Sequence, residues 1–151
     1  MISLKTYFED LFSNNSENNI RQHTVELATA VLMLEISLAD DHIHDEERNV
    51  INELLVKHFG ISDDEIKQLI KLAETEVDHA VSLHDFTRLL NAELGAADKV
   101  NIIENLWRVA FADSVLDKYE EYYIRKVADL LYVSHSDYIK AKLKAENSPI
   151  D

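Results

Sequence analysis

Residues 32–51 read LMLEISLADDHIHDEERNVI, and residues 105–124 read NLWRVAFADSVLDKYEEYYI. Laid over one another, Ala39-Asp40 falls on Ala112-Asp113, Ile43 on Leu116, Glu47 on Glu120 and Ile51 on Ile124. A slip of one residue then brings FGIS (59–62) onto LYVS (131–134). Each unit has the same order: an apolar helix, an acidic turn, a second helix and a capped third helix. Two such units in one chain predict a face-to-face packing with pseudo-twofold symmetry that relates the two acidic turns.

The flanking sequence predicts helices throughout. Ile2, Leu4, Tyr7, Phe8, Leu11 and Phe12 recur at helical spacing, giving a short amphipathic helix over 2–12. SNNSENN (13–19) follows as a polar linker, so the expected organisation is an arm and linker over 1–19, a helical domain over 20–147 and a tail over 148–151. The arm is expected to dock on its own core, because it lacks the basic face of a membrane-binding helix. From Ile20 to Leu38 apolar residues occupy several sides, the mark of a buried central helix. Further helices are expected over 46–59, 97–111 and 118–132, with Gly60 as a stop signal. SDDE (62–65), SLHD (82–85) and SHSD (134–137) have the form of capping boxes and predict helix starts near 63, 83 and 135.

Composition agrees with an all-α fold. The 151 residues suit one domain with a continuous core. Only 2 Gly and 1 Pro are present, too few for a chain of tight hairpins. Against 15 basic residues stand 29 acidic ones, a formal charge of −14 that would repel phosphate backbones and anionic lipid. Nucleic acid is therefore a poor partner, whereas cations and basic protein surfaces are good ones. The absence of cysteine rules out disulfides and thiolate chemistry and fits a cytoplasmic protein. The opening MISLKTYFEDLF lacks the apolar run of a signal peptide, and no stretch approaches the roughly 18 apolar residues of a membrane span.

With EISLAD (35–40), DEER (45–48), WRVAFAD (107–113), LDKYEE (116–121), IRKVADLL (124–131) and Val133-Ser134, the chain resembles the tellurite-resistance TerB-like family of small helical proteins over roughly residues 25–140. That resemblance implies a compact all-α bundle of about seven helices, with acidic clusters suspected of binding metal. His44 stands where the family's first turn carries an acid. The second turn, with Asp113, Asp117 and Glu120, keeps the family pattern.

Asp40, His44 and Glu47 stand at i, i+4 and i+7, as do Asp113, Asp117 and Glu120, so a compact turn would converge each set on one point. Carboxylates suit Ca or Mg, and imidazoles shift the preference toward Zn. His42 and Asp45 could add to the first set. An EF-hand is excluded: counting from Asp40, the position that needs glycine holds Asp45 and the one that needs Glu holds Ile51. A structural explanation is equally concrete. DKYE (117–120) is itself a capping box, with His44 and Glu47 in the equivalent places. Capping explains Asp40 and Asp113 less well, since each follows an apolar helix at the negative end of its dipole. Caps and cation can coexist, because a capping carboxylate uses only some of its lone pairs.

Glu35 lies within an apolar run, and a charge there needs a partner; Arg108 or Arg125 is expected to supply it in a structural ion pair. No nucleophile system, glycine-rich phosphate loop or H-E-x-x-H pattern occurs, and His23, His58, His79, His84 and His135 are scattered singly. The expected function is a non-enzymatic module that binds protein partners and a candidate divalent cation (Ca, Mg or Zn), in a stress-related setting that the family resemblance alone implies. A metal-dependent hydrolase and a purely structural homodimerisation domain are the alternatives.

Overall fold

The computed structural model describes residues 4–14, 18–39, 49, 52–53, 55–57, 60–74, 79–112 and 118–147. The helices are α1 (Leu4–Asn14), α2 (Asn18–Ala39), α3 (Asp63–Glu74), α4 (His79–Glu93), α5 (Ala96–Ala112), α6 (Lys118–Leu130) and α7 (His135–Asn147). Residues 49, 52–53 and 55–57 are helical as well, and no strand occurs among the described residues. The fold is the all-α bundle expected from composition.

α2 is the central element because its sequence leaves it no polar face. Thr24, Val25 and every residue from Leu27 to Glu35 are buried, and α2 packs against α1, α3, α4, α5 and α6. A helix apolar on all sides must be surrounded. The two threonines inside it are tolerable because a buried hydroxyl can bond back to its own helix, as Thr29 Oγ does to the Val25 carbonyl at 2.9 Å. α5 is the second core helix. It lies between α2 and α7 and buries Ile102, Ile103, Leu106, Trp107, Val109 and Ala110.

The N-terminal arm docks on the core. Leu4 and Phe8 are fully buried, and the Phe8 ring meets Phe86 of α4 edge to face at 4.7 Å. The interhelix segment is shorter than the expected linker. Ser13 continues α1, its hydroxyl donating to the Glu9 carbonyl at 2.9 Å, and α2 already begins at Asn18. Short polar residues therefore serve as helix ends here as much as linker.

Two of the three expected helix starts are found. At α3 the capping box closes in both directions: the Glu65 amide donates to Ser62 Oγ at 3.1 Å, and the Ser62 amide donates to Glu65 Oε1 at 3.3 Å. At α7 the Asp137 amide donates to Ser134 Oγ at 3.1 Å. The third expectation is corrected. α4 starts at His79, so Ser82 stands inside the helix, whereas an N-cap residue must sit outside it with non-helical backbone.

The ends of the aligned repeats match locally. Ala39 closes α2 and Ala112 closes α5. Gly60 has φ 62° and its counterpart Tyr132 has φ 58°, and each is followed by an apolar residue and a capping serine. At Tyr132 the chain forms a Schellman motif, with the Val133 amide donating to the Ala128 carbonyl at 2.9 Å and the Tyr132 amide to the Asp129 carbonyl at 3.1 Å. From α4, Asn91 adds a side-chain cap to α6, donating through Nδ2 to the Leu130 carbonyl at 2.8 Å.

Candidate functional site

α2 ends at Ala39 and α5 at Ala112, the residues that precede the two acidic segments in sequence. Asp40, His42, His44, Asp45, Glu47, Asp113 and Asp117 lie outside the described residues. Glu120 is the member of the two sets that is described. It sits in the first turn of α6, which begins at Lys118, the residue after Asp117. Its neighbour Glu121 is exposed, but Glu120 is only 3 % accessible. The cause is the register of α6: Glu120 shares its face with Ile124, Val127 and Leu131, all turned into the core. The partial positive charge of a helix N-terminus favours a carboxylate at this place, while burial penalises its charge.

Glu35 is buried on α2, at 5 % accessible. Arg108, on α5, ion-pairs with Glu104 one turn back and donates to Asn105 Oδ1 at 3.3 Å. Arg125 is exposed on α6. Their pairing with Glu35 stays a proposal.

A buried acid that escaped the sequence reading is Glu104, 7 % accessible between α5 and α7. It holds Arg108 on its own helix and Lys144 of α7, whose Nζ lies 3.6 Å away. Its signal was the same as that of Glu35, a lone acid inside the apolar run IIENLW. His23 also proved to have a role, bonding Glu65 across from α2 to α3 at 3.0 Å. Burial pulls the Glu65 carboxyl upward, but bonds from His23 and the Ser62 amide and the charge on His23 outweigh it and set it below the ordinary value.

Chemically, the second turn offers three carboxylates in sequence order, one of them fixed by a core helix. Such oxygens can hold a hard cation or cap a helix. Among those residues no three His, Asp or Glu side chains are grouped for a metal, and no helix is long and apolar enough to cross a membrane.

Residues 26–143 match the family model described as tellurite resistance protein TerB. Searches of curated proteins and of solved structures gave no match.

Proposed function

Because the chain belongs to the TerB family, we propose that it acts as a non-enzymatic helical interaction module with a divalent-cation site at its acidic inter-helix turns. The observation that carries the cation is Glu120, a carboxylate buried in the first turn of α6 beside Asp113 and Asp117 in sequence. A carboxylate in a helix's first turn can still give lone pairs to a hard cation, and one shared with Asp113 and Asp117 has the right chemistry. At the first turn Asp40, His44 and Glu47, with His42 and Asp45 adjacent, offer a mixed set in which imidazole favours zinc. A cation at either turn would tie the end of one core helix to the start of the next.

The formal charge of −14 supports a basic protein surface as the partner. Tellurite resistance in the family description supports a stress-related role, and the cysteine-free chain fits the cytoplasm as its setting.

Isothermal titration of metal-free protein with calcium, magnesium, manganese and zinc tests the reading. Heat is expected with at least one ion and is expected to vanish in the Asp40→Asn, Asp113→Asn double variant. No heat with any of the four removes the cation from the proposal. Loss of zinc binding in His44→Ala alone would assign the first turn as the imidazole-containing site.

A further inference from the structure

Among the described residues, two hollows rich in charge differ in how that charge is used. In the wider one, about 520 Å³ between α5 and α7, Glu104 and Lys144 neutralise one another. The smaller, about 270 Å³, lies between α6 and α7 and is lined by Arg125, Ala128, Asp129, Val133, His135 and Tyr138. Arg125 and Asp129 stand one helical turn apart on α6. Neither forms an ion pair, with the other or with any other group among the described residues.

Tyr138 makes this more than a surface hollow. The residue is only 6 % accessible, its ring held beside Trp107 at 5.7 Å and beside His135 at 6.0 Å. Its hydroxyl has no hydrogen-bond partner among the described residues. Burial and the nearby charges of Glu121 and Asp129 push that hydroxyl upward in pKa while Arg125 opposes them, so the phenol stays protonated. A phenol hydroxyl can both donate and accept a hydrogen bond, and Tyr138 lines the cavity.

We infer that this cavity binds a small zwitterion of the amino-acid type, with its carboxylate held by Arg125 and the Tyr138 hydroxyl and its ammonium by Asp129. Three observations select that class over a simple anion or cation. Arg125 and Asp129 present opposite charges that cancel, which suits a ligand of zero net charge with separated ends. The carboxylate end also gains from the positive dipole end of α7, which borders the cavity at His135. A chain at −14 repels free anions, and Arg125 with its guanidinium fork would repel a lone ammonium. Ala128 and Val133 supply an apolar wall, and the volume, at the small end of ligand cavities, admits a ligand of amino-acid size.

The test is an amide-resolved NMR titration of the intact protein with L-alanine, L-valine, acetate and ethylammonium. Saturable shifts at residues 125–138 with either amino acid, and none with acetate or ethylammonium at the same concentrations, are expected. Arg125→Gln and Asp129→Asn, both at exposed positions that leave the core intact, should each weaken the amino acid about tenfold, the scale of one charge-assisted hydrogen bond. Tyr138→Phe keeps the buried ring and should weaken it severalfold. Saturable shifts with acetate equal to those with alanine would overturn the zwitterion, as would the absence of saturable shifts with all four probes. Unchanged binding in Arg125→Gln and Asp129→Asn would overturn the site.

Discussion

Gly60 and Tyr132 adopt the same left-handed backbone, φ 62° and φ 58°, at matching places in the two halves of the chain. One half uses the residue that takes this conformation freely, and the other forces it on a tyrosine. For an L-residue with a side chain the left-handed well costs about 1–2 kcal/mol. The Schellman bonds from Tyr132 and Val133 to the end of α6 offset that cost by satisfying carbonyls that the helix would otherwise leave bare. The Tyr132 ring gains little in return, being 82 % exposed.

Tyr132→Gly should therefore stabilise the protein by up to about 1 kcal/mol, and Gly60→Ala should destabilise it by about the same amount. A Cβ at Gly60 would meet nothing within 4 Å, so the second effect is conformational rather than steric. Urea unfolding of the two variants checks both signs. A Tyr132→Gly variant less stable than the parent would show that the exposed ring makes a contribution its accessibility does not suggest.

Glu65 is the acid that closes the α3 capping box and bonds His23 of α2. Its folded-state carboxyl is lowered below the ordinary range, so its contribution is full above the unfolded value of about 4.3 and is lost as pH falls through the lowered folded value. Glu65→Gln is expected to cost about 1 kcal/mol near neutral pH, the usual size of a cap, with solvent exposure limiting the charge component. The difference between parent and variant in urea midpoint should shrink at pH 3. A difference that stays constant across pH would assign the effect to packing instead.

The caps at Ser62 and Ser134 were legible because a cap is a relation among four consecutive residues. The false start at Ser82 marks the limit of that reasoning. The pattern S-x-x-D is present, but the helix had already begun at His79, and a local pattern does not reveal what precedes it. Lys144 at Glu104, His23 at Glu65 and Asn91 at the Leu130 carbonyl depend on which helices become neighbours, and side-chain spacing within one helix carries no trace of that. Of the two acidic sets, the burial of Glu120 follows from the apolar face it shares with Ile124 and Val127, a regularity visible in the sequence.

Phe8 links the arm to the bundle through its edge-to-face contact with Phe86. If α1 is a full part of the core, Phe8→Ala should cost about 3–5 kcal/mol, the range for an aromatic removed from a closed site. Differential scanning calorimetry should then show one transition at a lower temperature. A loss below about 1 kcal/mol would mean that the arm adds little to the fold and that a second copy could displace it.

Glu104 gives the last test, since its two cations differ in burial. Lys144 is 68 % exposed, so its attraction to Glu104 is screened and Lys144→Ala should cost under about 1 kcal/mol. Arg108 is largely enclosed with the acid, and Arg108→Ala would leave a buried carboxylate with only the exposed, solvent-screened Lys144 beside it. That loss should be larger, about 1–3 kcal/mol, the cost of an uncompensated buried polar group. In a Glu104→Gln background both lysine and arginine removals should fall toward zero, because the charge that made them necessary is gone. A double-mutant cycle in urea measures this directly. If Arg108→Ala costs the same in the parent as in the Glu104→Gln background, the arginine stabilises α5 through its aliphatic stem and the ion pair contributes nothing.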